Sequence, residues 1–405
     1  MKILRSTDAY EAFLRNELGE EVVEEGLLEK RDEMASGPFP FLRATYWRWA
    51  ETIQDIAPEL IAATRVLAVG DIHLENFGTW RDLDGRLVWG VNDYDEAAEM
   101  PYTMDLLRLA TSALLTTAEP SGPDAQAIAD AILSGYRKGL SEPRPFILDR
   151  DLRWLREAVI VPENERAGFW TKLDKKRRKF EQRPEEKRPR LWPRYKGALL
   201  AALPSGASPP QIWYRSAGVG SLGRPRWVAQ SMWCGDWVIR EAKGVVPSGW
   251  TRVHDGAARA LRCIETSTGR YRSPDPWYRL VDGIVLRRLS PNNRKINAYR
   301  SGANSVNQAG SDDEDAGEKL VGIDVLLSAC MLGAMGQDLA AIHVGTGGVG
   351  GAVCTDLMHR KDGWLADAAQ RTATALRSEH AEFRKDWPRR QKKRKQPVGQ
   401  AASRE

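Results

Sequence analysis

Cysteine is scarce in this chain of 405 residues. Cys234, Cys263, Cys330 and Cys354 are scattered, with no C-x-x-C pair. That spacing implies neither a zinc site nor a disulfide framework and leaves four buried, reduced thiols as the expectation. Histidine is almost as rare, at five residues. No apolar run approaches the ~20 residues a membrane helix needs, and the N-terminus lacks the apolar core of a signal peptide. A cytoplasmic protein without membrane contact is expected.

Charge of one sign is also missing overall, but only as an average. The net charge is +5, yet residues 174–196 carry eleven Lys and Arg against four acids. Residues 384–395 carry eight Lys and Arg against one Asp, so the rest of the chain is acidic. A solvated charged helix and a disordered basic tail over 384–405 account for both runs. Nothing else in the sequence supports nucleic-acid binding.

The informative stretch is residues 66–95. The apolar run Val66–Val69 reads as a strand, stops at Gly70, and is followed by Asp71, His73, Glu75 and Asn76. A second run, Leu87–Val91, delivers Asn92, Asp93, Asp95 and Glu96, with Asp84-Gly85 as a hairpin signal between the two runs. Carboxylates gathered in this way repel one another unless a cation or a proton joins them. Asn76 lies five residues after Asp71, and Asp93 lies 17 after Asn76. A phosphoryl-transfer site uses this layout: one carboxylate takes the proton of the attacking hydroxyl, while an amide and a second carboxylate hold magnesium.

GDIHLENF followed by NDYDEA and PYTMDLLRLA resembles the aminoglycoside and choline kinase-like branch of the protein-kinase-like superfamily. Gly-Asp-x-His also opens the metallophosphoesterase signature, with Asp71 and His73 as metal ligands. That chemistry needs further His blocks, and His254, His343, His359 and His380 stand in neither context. The stretch MASGPFPFLRATYWRW, with Phe39, Phe41 and Leu42 anchoring a loop broken by Pro38 and Pro40, adds a second resemblance. Together with the Asp/His/Asn loop it is similar to an uncharacterised bacterial family, domain of unknown function 2252, over roughly residues 30–350. Ala44 and Tyr94 stand where that family often has Gly and Phe.

Downstream, helices are expected over Met104–Thr116 and from Pro123 to residue 141, and a charged helix and linker from Val161 to Lys196. The Pro/Gly/Ser break at 204–210 is the expected domain boundary. Beyond it, Gly218, Gly220 and Gly223 spell G-x-G-x-x-G between two strand-like runs, with Ser221 inside the loop. Alone this is as often a plain hairpin turn. A strand rather than a helix follows it, which is the kinase arrangement, and Lys243 closes the next strand where a phosphate-steadying Lys would stand. Glu265, on a helix expected over Trp250–Thr266, or less well Glu241, could pair with it. Val281–Leu289 reads as a strand and hinge, 297–318 as an insertion, and Asp324 as the cap of a helix over Val325–Ile342.

A conventional kinase runs glycine loop, Lys, hinge, helix, catalytic Asp, metal Asp. This chain presents the same cycle cut elsewhere. The expected fold is therefore α+β, a two-lobed protein-kinase-like fold in circularly permuted order. Its parts are a helical bridge (1–60), a helical lobe with the catalytic and metal-binding loops (61–203), a β-rich nucleotide lobe (204–295) and a returning helical segment (296–383). The resemblance implies ATP and Mg as cofactors. Asp71 is then the catalytic base. Asn76, Asp93 and Asp95 are metal ligands, and Gly218, Gly220, Ser221, Gly223 and Lys243 bind the nucleotide. His73, Asp105 and Arg43 support the loops. Nucleotidyl transfer and a non-catalytic nucleotide-binding module are alternatives on the same scaffold. The acceptor and the oligomeric state are not legible.

Overall fold

Apolar residues in the first sixty positions recur at helical spacing, and they form four helices. These are α1 (Ile3–Leu18), α2 (Glu24–Ser36), α3 (Pro38–Ala44) and α4 (Tyr46–Ile56). The computed structural model describes residues 1–117, 122–149, 152–160, 163–256, 259–299 and 318–395. Pro38 does not break a helix here. It occupies the first turn of α3, where a missing N–H costs nothing. The expected loop is thus a helix, and Phe39, Phe41 and Leu42 are buried from it.

Strand β1 (Arg65–Ala68) does not pair with the second apolar run. It pairs antiparallel with β4 (Ala98–Pro101). The Asp84-Gly85 turn instead joins β2 (Phe77–Arg81) to β3 (Leu87–Val91), so the polar cluster feeds directly into a strand. With β5 (Phe146–Ile147), β11 (Arg294–Tyr299) and β12 (Glu318–Gly322) they form a sheet of order β12-β11-β2-β3-β5. The expected insertion begins in β11 and ends in β12; residues 300–317 lie outside the described residues.

A second five-stranded sheet has the order β6-β7-β8-β10-β9 and is antiparallel throughout. Its strands are β6 (Gln211–Tyr214), β7 (Arg226–Trp233), β8 (Asp236–Gly244), β9 (Arg279–Val281) and β10 (Ile284–Arg288). Between β8 and β9 the expected helix is two short ones, Gly249–His254 and Cys263–Ser267.

The helical body is built from α5 (Thr103–Thr116), α6 (Ala125–Ser141), α7 (Arg153–Val159), α8 (Glu163–Glu181) and α9 (Pro193–Ala202). It is completed near the end of the chain by α10 (Ala329–His343), α11 (Gly350–His359) and α12 (Trp364–Lys395). Asp124 caps α6 by accepting from the Ala127 amide. Asp324 caps nothing long. It lies in the short helix Ile323–Leu326, and Ser328 caps α10. The basic tail is helical to Lys395, and residues 396–405 lie outside the described residues.

Helices α8 and α9 cross the expected boundary. Phe169 and Leu173 of α8 pack on Trp213, Val228 and Ile239, while Tyr195 and Leu199 of α9 pack on Trp227, Ala229 and Ala242. Val228 alternates with Trp227 and Ala229, so the two helices cover opposite faces of one sheet. Helices make up about 54% of the described residues of this mixed α+β protein. No helix among the described residues is long and apolar enough to cross a membrane. Cys263 is buried, but Cys234 and Cys330 are exposed, contrary to expectation.

Candidate active site

The strand-end loop after β1 is fixed from below. Asp105, in the first turn of α5, accepts the amides of Val69 at 2.7 Å and Gly70 at 2.9 Å. His343, at the end of α10, reaches the same carboxylate at 3.0 Å and bonds the Tyr136 hydroxyl through its other nitrogen at 2.8 Å. Gly70 has φ +84°, and a Cβ there would meet the Glu96 carbonyl at 2.3 Å. Only glycine lets the chain turn at this point.

Asp71 then faces the cleft. Arg108, fully buried on α5, donates to Asp71 Oδ1 from Nε at 3.1 Å and to the Leu42 carbonyl at 2.8 Å. Burial pushes the Asp71 carboxyl up to about 6, outweighing the opposing Arg108 charge. His73 Nδ1 accepts the Glu75 amide at 3.2 Å, and burial holds the ring neutral, well below its usual range. It braces the loop. Arg43 pairs with Glu75 at 2.5 Å beside it.

Asn76 ties the two acidic loops together. Its Nδ2 donates to the carbonyls of Asp71 and Asp93, each at 3.1 Å, while its buried Oδ1 has no partner. Asp93 lies between two ammonium groups, Lys243 at 3.2 Å and Lys295 at 3.2 Å. Burial works to raise its pKa, but these cations hold it well below the carboxylate range. Asp95 Oδ2 lies 2.7 Å from the same Lys243, and its Oδ1 is buried without a partner. Burial and the neighbouring Asp93 raise its pKa.

The glycine loop covers this cluster. Residues Val219–Ser221 make one tight turn after Gly218 (φ +75°), and a Cβ on Gly220 would stand 3.2 Å from Asp71 Oδ2. The loop is tied to α2: Lys30 Nζ donates to the Gly220 carbonyl at 2.7 Å and the Val23 amide to the Gly223 carbonyl at 3.0 Å. Ser216 adds a bond to Glu29 at 2.7 Å. Gly223 has φ +90° and packs so tightly on Leu27 that a Cβ would lie 2.2 Å from its Cδ2. Burial lowers the Lys30 amine to about 7.

Neither expected glutamate pairs with Lys243. Glu265 bonds Arg262 on its own short helix at 2.6 Å. Glu241, facing the same side of β8 as Lys243, is buried beneath Arg215, Arg226 at 3.0 Å and Arg287 at 2.6 Å. Sequence reading also missed Arg108, Lys295 and Lys30. Arg108 had a signal, since a cation on an otherwise apolar helix must find a buried partner. Lys295 and Lys30 had none, because their positions depend on long-range packing.

Two cavities open into the cleft. The first holds about 730 Å³, open solvent included, and is lined by Trp80, Tyr94, Tyr278, Leu289, Arg287 and Lys295, among others. The second holds about 570 Å³ on the same measure and is lined by Asp71, Asn76, Asp93, Asp95, Gly220 and Lys30, among others. Lys295 lines both.

The orphaned Asn76 Oδ1 and Asp95 Oδ1, with Asp93 between their loops, suit a hard cation. Among the described residues no group of three or more His, Cys, Asp or Glu side chains stands ready to hold a metal. Magnesium does not require one, because it keeps several waters and uses one or two carboxylates. The remaining histidines bond elsewhere: His254 to the Ala50 carbonyl, His359 to Thr355 and His380 to Ala35.

Residues 23–182 match a family described as an uncharacterized protein conserved in bacteria (DUF2252). The matched span carries Arg43, Asp71, His73, Asn76, Asp93, Asp95 and Asp105 and ends before the glycine loop and Lys243. No curated protein and no solved structure matches this chain.

Proposed function

We propose that this protein is an ATP- and Mg-dependent phosphotransferase acting on a hydroxyl acceptor, on a two-lobed, circularly permuted kinase-like scaffold. One observation carries the reading. Lys243, at the end of the third strand of one sheet, sits 3.2 Å from Asp93 and 2.7 Å from Asp95, about 150 residues away in sequence. A Lys on a third strand after a glycine loop, set against a catalytic-type Asp/Asn/Asp cluster, is the arrangement phosphoryl transfer uses.

In this reading the aromatic-lined first cavity takes the nucleobase. Lys243, Lys295 and the glycine loop face its phosphates. Asp71 accepts the proton of the acceptor hydroxyl, and its carboxyl, raised by burial to about 6, is matched to that task near neutral pH. Asn76, Asp93 and Asp95 are the residues that would hold magnesium, which neutralises phosphate charge when bound.

The test is calorimetric titration of ATP, with and without magnesium, into wild type and Asp93→Ala. Magnesium-dependent binding that the variant loses supports the reading. Absence of any nucleotide binding by the wild type overturns it.

A further inference from the structure

The acceptor side of Asp71 is a part-open chamber. Tyr10 of α1, Lys30 of α2, Arg43 of α3 and Trp47 of α4 wall it, and the glycine loop roofs it. The roof is fastened to α2 at Gly220, Gly223 and Ser216. The chamber's volume of about 570 Å³, open solvent included, is that of a small-molecule site and points to a small acceptor.

The charges inside the chamber are not evenly satisfied. Asp71 has Arg108, Asp93 has Lys243 and Lys295, Asp95 has Lys243, and Glu96 has Arg224 at 2.8 Å. Lys30 is 4% exposed and has no carboxylate within ion-pair distance among the described residues. Its three donors have one hydrogen bond, to the Gly220 carbonyl, and its ammonium lies about 5 Å from the Tyr10 and Trp47 rings. Cation–π contact compensates only part of the cost of burying a charge. Arg43 Nε, in the same wall, is buried without a partner.

We propose that the acceptor is a small molecule carrying an anionic group, phosphate or carboxylate, which Lys30 and Arg43 hold while its hydroxyl faces Asp71. This rests on the transferase reading. The acceptor oxygen forms a bond to the terminal phosphorus of ATP, the bond from that phosphorus to the bridging oxygen breaks, and ADP leaves with the electron pair. The hydroxyl proton passes to Asp71. The anionic group does not react; it fixes the acceptor's orientation and excludes neutral and cationic analogues.

The experiment uses the full chain and two readouts. Inorganic phosphate is titrated calorimetrically, without nucleotide, into wild type and Lys30→Met. Label transfer from terminally labelled ATP is then compared for glycerophosphate, glycerate, glycerol, choline and a serine peptide. Phosphate binding that Lys30→Met loses, and a preference of at least about tenfold in kcat/KM for the anionic acceptors over glycerol, are expected. In Lys30→Met that preference should shrink through KM. Preferential labelling of glycerol, choline or the peptide overturns the proposal, as does a wild type that binds no phosphate. Should Lys30→Met fail to fold, the wild-type titration and acceptor panel decide alone. Phosphate binding that depends on Lys30 in a protein without ATP turnover would leave the anion site standing and remove the transferase reading instead.

Discussion

Asp71, half-buried, and Glu241, fully buried, are both carboxylates beside arginine, and their surroundings push them in opposite directions. For Asp71 burial wins over a single guanidinium, so its proton leaves only near pH 6. In the proposed transfer Asp71 acts deprotonated, so turnover should rise as pH climbs through about 6 and level above it. A pH–rate profile of kcat/KM checks this. Asp71→Asn should lower turnover by about two to four orders of magnitude. Arg108→Met removes the opposing charge and should move the limb to higher pH. For Glu241 the guanidinium groups win, and its carboxyl stays well below the ordinary range despite full burial. Its stabilisation is present above the unfolded-state pKa of about 4.3 and is lost as pH falls towards the folded value. Glu241→Gln leaves buried cations facing a neutral amide and should cost about 3–5 kcal/mol, measured by urea unfolding at neutral pH. Residue type and spacing marked Asp71, Asn76 and Asp93 in advance. The partner of Lys243 could not be read that way, because it comes from the loop after β3 rather than from a nearby helix.

At the scale of elements, local signals were reliable where local chemistry decides. Asp84-Gly85 made the hairpin it suggested, and the apolar run after Tyr102 made α5. They failed where tertiary pairing decides. The apolar run Val66–Val69 chose β4 over the strand beyond the hairpin, and Pro38 opened a helix instead of ending one. Two substitutions separate the cases. Asp124→Ala removes one cap and should cost about 1 kcal/mol by thermal or urea unfolding, with no effect on ligand binding. Gly223→Ala forces a side chain onto Leu27 at positive φ and should detach the glycine loop from α2. Proteolysis of the loop should then accelerate, with ATP affinity falling in parallel.

At the scale of the whole molecule, the expected break at 204–210 is a connection and not a division. Helices α8 and α9, which precede it, supply the cover on both faces of the sheet that follows it. A fragment of residues 204–295 therefore exposes Trp213, Trp227 and Val228 and should not fold alone, as judged by circular dichroism and solubility. The order of the acidic loops, the glycine loop and Lys243 on either side of the break was legible in the sequence. The way α8 and α9 cross it was not, because their charged, weakly patterned sequence hides which few residues point inward.

The clasp between α2 and the glycine loop also sets a timetable. Lys30 and Gly220 are 190 residues apart, and the same helix waits for Trp387 of α12 to reach Asp32 across 355. At roughly 5–20 residues per second on the ribosome, α2 emerges about 10–40 s before the loop it is to hold. Its apolar side must stay out of other company for that interval. Such long closures slow folding far more than they alter final stability. The cleft is thus among the last parts of the molecule to exist.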